Sequence, residues 1–126
     1  MAILGLGIDL VELDHFQKKL SKRFLTRVYA EEELAYCLQK KDATPSLAAR
    51  FAAKEAVIKA FAWRLFSQSL KDIVVIKEEN LPPRIELRGK ALENASKLGN
   101  YKIFVSLTHT EKLAMAEVIV AGGEVE

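Results

Sequence analysis

Apolar and polar positions follow two different periods along this chain. Ile3 to Asp9 is apolar apart from Gly5 and Gly7 and predicts a first strand ending on an acid. From Val11 to Leu25 the spacing of Val11, Phe16, Leu20 and Phe24 predicts a helix. Glu31 to Lys40 predicts a second helix, with Leu34, Cys37 and Leu38 inward and Glu31 to Glu33 at its N-terminus, where negative charge suits the helix dipole. Thr44 as N-cap and Pro45 at the first helical position start a long central helix that runs to about Phe66. Ser67-Gln68-Ser69 is a polar break. Asp72 to Lys77 is β-branched and predicts a strand, Asn80-Leu81-Pro82-Pro83 a turn, and the alternating Arg84 to Arg88 a strand paired with the previous one. Gly89 to Leu98 reads as a short helix closed by Gly99-Asn100. Tyr101 to Thr108 and Leu113 to Val120 are strands joined at His109 to Lys112, and Ala121-Gly122-Gly123 leads into a loose tail. Hairpins with one long helix predict an α+β fold, a mainly antiparallel sheet packed against the central helix and shorter helices, as a single domain over 1–126.

Composition narrows the class. Half of the residues are hydrophobic and 29% are charged, the balance of a soluble globular protein, and the net charge of +2 is too small to argue for nucleic acid. No apolar run reaches the roughly 20 residues that span a bilayer, and the N-terminus lacks the basic stretch of a signal peptide. The single cysteine, Cys37, fits a reducing compartment, so a cytoplasmic location is expected. Basic residues are nevertheless concentrated at Lys18, Lys19, Lys22, Arg23 and Arg27. They form either a solvated face or a docking surface for an acidic partner.

The central stretch Arg50 to Phe61 sets one acid among alanines and cations. On a helix Phe51, Glu55 and Lys59 fall on one line. Spacing alone reads it as a surface helix with charged edges, whose small residues would let a ligand approach. Asp9, at the expected strand end, is either a site residue or a helix N-cap. If Asp9 and Glu55 converge, they suit a hard cation such as Mg²⁺, which keeps waters and takes substrate phosphates for its remaining ligands. Arg50, Lys54 and Lys59 suit phosphate oxygens. Ser106, Thr108, His109 and Thr110 crowd hydrogen-bonding groups at a strand end, the composition of a ligand loop or of an exposed turn. No zinc-type cluster and no Gly-x-Ser-x-Gly nucleophile elbow is present.

Gly7-Ile8-Asp9, Arg50-Phe51-Ala52-Ala53-Lys54-Glu55-Ala56 and Ser106-Leu107-Thr108-His109-Thr110 together resemble, in order and spacing, the three motifs of the short, single-domain holo-acyl-carrier-protein synthases of the phosphopantetheinyl transferases. The resemblance implies transfer of the phosphopantetheine arm of coenzyme A to a serine of apo acyl carrier protein, in support of fatty acid and lipid biosynthesis. It implies Mg²⁺ held by Asp9 and Glu55, with both residues catalytic. Coenzyme A contacts would come from Arg50, Lys54, Lys59, Thr108 and His109. The carrier protein would dock on Lys18, Lys19, Lys22, Arg23, Phe24 and Arg27. The resemblance further implies a homotrimer with its sites at subunit interfaces, and no nucleic-acid or membrane partner.

The chain departs from that pattern at three places. His15 stands where a basic residue is usual, which predicts weaker or pH-dependent docking. Ala30 replaces a usual threonine cap, a loss of about 1 kcal/mol. Ala62-Trp63-Arg64 replaces a glycine-rich turn, which predicts a helix continuing through it. That last change motivates a competing reading as a non-catalytic homologue that binds coenzyme A or the carrier protein.

Overall fold

The computed structural model describes residues 1–64 and 69–123; the expected break at Ser67-Gln68 and the tail after Gly123 lie outside them. The strands are β1 (Ala2–Glu12), β2 (Ile73–Ile76), β3 (Arg84–Leu87), β4 (Tyr101–His109) and β5 (Leu113–Gly122). The helices are α1 (Leu13–Gln17), α2 (Lys22–Val28), α3 (Glu31–Cys37), α4 (Thr44–Ala60) and α5 (Gly89–Ser96). One antiparallel sheet has the order β1-β5-β4, and β2 and β3 form a second antiparallel pair. The α+β expectation with antiparallel sheets holds.

The central helix lies on the three-stranded sheet because β1 carries no side chains where the two elements cross. A Cβ built on Gly5 or Gly7 would overlap the backbone carbonyl of Ala60 or Ala56. Small residues on the helix answer the glycines. Ala52, Ala53, Ala56 and Ala60 are buried, packed with Val57, Val118 and Val120. The alanines therefore serve close helix–sheet packing, which corrects the expectation that they leave room for a ligand. A second core gathers Phe16, Val28, Tyr29, Cys37 and Leu47 beneath α1, α2 and α3.

Three boundaries differ from expectation for physical reasons. The first strand does not stop at Asp9: pairing with β5 continues to Glu12, opposite Leu113. The single helix expected over Val11 to Leu25 is two short ones, because Ser21 acts as an N-cap and its Oγ accepts from Phe24 N–H at 3.1 Å. Leu38, expected inward, is exposed beyond the end of α3. At the start of that helix Ala30 has no side-chain oxygen to offer. The Glu33 carboxylate still accepts from Ala30 N–H at 2.9 Å, so half of a capping box survives the alanine.

Candidate active site

Helix α4 is not a surface helix. Nearly all of it is covered, and the line Phe51, Glu55, Lys59 is where its middle stays open. Across from that line runs Asp9. It sits inside β1 opposite Ala116 and is not a helix cap, since α1 starts after Glu12. Lys59 Nζ donates to Asp9 Oδ1 at 3.1 Å and to the Ile8 carbonyl at 2.9 Å. Asp9 and Glu55 line one cleft of about 240 Å³, together with Glu12, His15, Lys19 and Phe51. Partial burial raises the pKa of Glu55 above the usual carboxylate range, and the Asp9 charge raises it further, while Lys59 and Lys19 pull it back. Two oxygen-bearing acids that repel each other form a donor set suited to a hard divalent cation and poorly suited to zinc. Among the described residues no group of three or more His, Cys, Asp or Glu gathers to hold a metal. Any ion here would draw its remaining ligands from water and substrate.

Arg50, Thr108 and His109 meet at a different place. They line a cavity of about 400 Å³ between the start of α4 and the end of β4, with Tyr36, Lys40 and Ser46 also in its wall. Thr108 and His109 are exposed at the last positions of β4. The adjoining turn is tied by Thr110 Oγ1, which accepts from Lys112 N–H and Leu113 N–H. On one chain, then, the expected site residues fall into two groups, Asp9–Glu55–Lys59 and Arg50–Thr108–His109.

Lys54 belongs to neither, which corrects the expectation that it contacts coenzyme A. Its ammonium is fully buried and bonds to Glu33 Oε1 at 2.7 Å, to the Leu70 carbonyl at 3.0 Å and to the Ile73 carbonyl. All three donors of the ammonium are thereby used, and none is left for a phosphate. Glu33 in turn accepts from Val75 N–H at 3.0 Å, so the pair ties α3, α4 and β2 together. Nothing in the local pattern around Lys54 signals this partner.

The basic segment forms a groove of about 660 Å³, its wall including Lys19, Arg23, Phe24 and Arg27. Lys18 and Lys22 are exposed beside it. Phe24 is half-buried and also structural, its ring 5.8 Å from Phe16 and 5.8 Å from Phe51. Lys19 lines both this groove and the Asp9–Glu55 cleft.

The helix does not run on through Ala62-Trp63. It ends at Ala60, and Ala62 takes a left-handed conformation at φ 56°. Trp63 N–H donates to the Ile58 carbonyl at 3.0 Å and Ala62 N–H to the Lys59 carbonyl at 3.1 Å, the paired bonds of a Schellman ending. The Trp63 ring stacks on Phe61 with centroids 4.4 Å apart, so aromatic packing holds an alanine where glycine is the usual choice. The expected loss of the turn is overturned.

Sequence reasoning missed Glu33, Tyr36, Lys40 and Ser46. Only Ser46 had a local signal, four residues before Arg50 on one helix face.

Residues 5–116 match the family model described as the 4'-phosphopantetheinyl transferase superfamily. The chain is 48% identical to a holo-[acyl-carrier-protein] synthase of Treponema denticola over 122 residues, covering 95% of this chain and 99% of that protein. A crystal structure of a holo-(acyl-carrier-protein) synthase from Bacillus anthracis in complex with CoA (3',5'-ADP) superposes with a TM-score of 0.79 at 28% identity, covering 95% of this chain and 97% of that one. An ACPS–CoA complex from Chronobacterium ammoniagenes reaches a TM-score of 0.88 at 23% identity, with 98% and 100% covered, and shares the fold.

Proposed function

Because the chain belongs to the 4'-phosphopantetheinyl transferase superfamily, we propose that it is a holo-acyl-carrier-protein synthase, which moves the phosphopantetheine arm of coenzyme A onto a serine of apo acyl carrier protein. The observation that carries the reading is the Asp9–Glu55 pair, two carboxylates on facing elements, with the Lys59 ammonium on Asp9.

In this reading the serine Oγ attacks the phosphorus that bears the pantetheine arm. The bond from that phosphorus to the bridging oxygen breaks, and adenosine 3',5'-bisphosphate leaves with the electron pair. The serine proton passes to Glu55, or to a water beside it. Arg50, Lys59, Thr108 and His109 bind the phosphates and nucleotide, cations and donors facing the oxygens where charge grows. Asp9 and Glu55 would hold Mg²⁺, which when bound neutralises charge on the pyrophosphate. The carrier protein docks on Lys18, Lys19, Lys22, Arg23, Phe24 and Arg27. Lys19 leads from that groove to the acids, so a docked serine has a short path to the cleft.

A homotrimer belongs to the same proposal. Leu6, Ile8, Leu10 and Phe104 are each half exposed or more on the sheet face turned away from α4, an apolar surface suited to a neighbouring copy. A neighbour could also bring its Arg50–Thr108–His109 cavity to this chain's Asp9–Glu55 cleft. The reading further takes the whole of 1–126 as one transferase domain, acting in the cytoplasm in fatty acid synthesis. Among the described residues no helix is long and apolar enough to cross a membrane. Mass spectrometry of apo acyl carrier protein after incubation with coenzyme A and Mg²⁺ tests the function. A gain of one phosphopantetheine arm is expected, and binding of coenzyme A without that gain leaves the non-catalytic homologue.

A further inference from the structure

Arg50 is a cation in an unusual position. It is only 4% exposed, and among the described residues no carboxylate forms an ion pair with it. Its Nε is buried and has no hydrogen-bond partner among the described residues. Asp42 lines the same cavity, but its Oδ1 accepts from Thr44 N–H at 3.1 Å. A charge this deeply covered and not neutralised is costly unless an anion completes it.

Among the described residues three neutral groups hold the guanidinium, one of them the Ser46 carbonyl, which accepts from Nη1 at 3.5 Å. Nη1 donates to Ser46 Oγ at 2.8 Å, and the guanidinium carbon stands 4.5 Å from the centre of the Tyr36 ring. The same ring carries the Lys40 ammonium at 4.8 Å. The Ser46 hydroxyl fixes one arm of the fork, and the guanidinium carbon lies over the ring. A carboxylate in either place would hold the arginine as firmly but cancel its charge. A hydroxyl and a π face hold it while leaving that charge for a ligand.

We infer that Ser46 and Tyr36 are positioning residues that orient Arg50 as an unneutralised cation for a phosphate group of the coenzyme A substrate. The inference rests on the coenzyme A reading of that cavity. Ser46 also contacts Cys37 Sγ at 3.3 Å, so an effect through core packing must be separated from one through Arg50.

The test is steady-state kinetics with coenzyme A, paired with calorimetric titration of adenosine 3',5'-bisphosphate into the intact protein. Ser46→Ala is expected to raise KM for coenzyme A about tenfold with kcat nearly unchanged, the scale of one charge-assisted hydrogen bond. Ser46→Thr, which keeps the hydroxyl, restores KM. Cys37→Ala lowers the melting temperature but leaves KM alone. In an Arg50→Ala background, Ser46→Ala adds no further loss. If Ser46→Ala does not fold, Tyr36→Leu against Tyr36→Phe gives the same comparison, because only the second keeps the ring. Unchanged coenzyme A affinity in Ser46→Ala or Tyr36→Leu, while Arg50→Ala weakens it, overturns the positioning role. An equal KM rise in Cys37→Ala does so too. Wild-type protein that binds neither coenzyme A nor the bisphosphate overturns the coenzyme A reading instead, and the inference with it.

Discussion

Gly7 of β1 passes so close to Ala56 of α4 that a methyl group on the glycine would fall inside the Ala56 carbonyl. This contact sets the spacing of the candidate site, since Asp9 lies two residues beyond Gly7 on the strand and Glu55 adjoins Ala56 on the helix.

Gly7→Ala should therefore push α4 away from the sheet. Overpacking of this kind costs about 1–3 kcal/mol. Urea denaturation should give that loss, and the protein that remains folded should show reduced transfer, because Asp9 and Glu55 move apart. Full stability with full activity would refute the spacing role.

Glu55→Gln keeps the size of the side chain and removes its charge and its basicity. Transfer to the carrier protein should fall by at least about a hundredfold, the lower range for loss of a general base. The response to added Mg²⁺ should flatten as well. Near-normal turnover would remove Glu55 from the chemistry.

Lys54→Met leaves the Glu33 carboxylate buried without its cation. Breaking such a pair from one side costs about 3–5 kcal/mol, read from the urea midpoint. KM for coenzyme A, measured on folded protein, should not change, because the ammonium faces the core. A raised KM at unchanged stability would return Lys54 to the substrate site.

Ala62→Gly should stabilise the protein. The left-handed backbone costs an alanine about 1–2 kcal/mol, of which the extra freedom of glycine in the unfolded chain takes back a part. A melting temperature a few degrees higher is expected, with the Trp63 fluorescence of the folded state unchanged. A lower melting temperature would mean that the alanine methyl makes packing contacts worth more than the strain.

Arg88 holds Glu32, and the hydrogen bonds it donates lower that carboxylate to about 2 from 4.5. The lowered pKa sets the sign. The contribution of the pair is present above the unfolded-state value and is lost as pH falls from about 4.5 toward 2. Both groups are open to solvent, so the effect is small and screened by salt. Arg88→Met should narrow the stability difference from wild type as pH falls through that window, and high salt should narrow it at neutral pH. A pH-independent difference would exclude linkage through Glu32.

Much of the fold was legible in the order of residues. A β-branched run at 72–77 and the alternation of Arg84 to Arg88 marked the β2–β3 pair, two strands joined at His109 to Lys112 marked β4 and β5, and the three motifs named the acids and the Thr108–His109 strand end. Phe51, Glu55 and Lys59 were placed on one line by helical geometry alone, and that line is where α4 stays open. Local pattern could not say which charged side chains are covered. Arg50 and Lys54 have the spacing of a solvated edge, yet both are buried, because α3 and β2, distant in the chain, supply Tyr36 against Arg50 and Glu33 and the Ile73 carbonyl against Lys54. The end of β1 followed the same logic: Asp9 looked terminal until pairing with Leu113 carried the strand to Glu12. Sequence by itself determined which groups the protein has and which of them share a face. Tertiary structure decided which of those groups keep a free charge, since burial and partners are set by elements that periodicity does not connect.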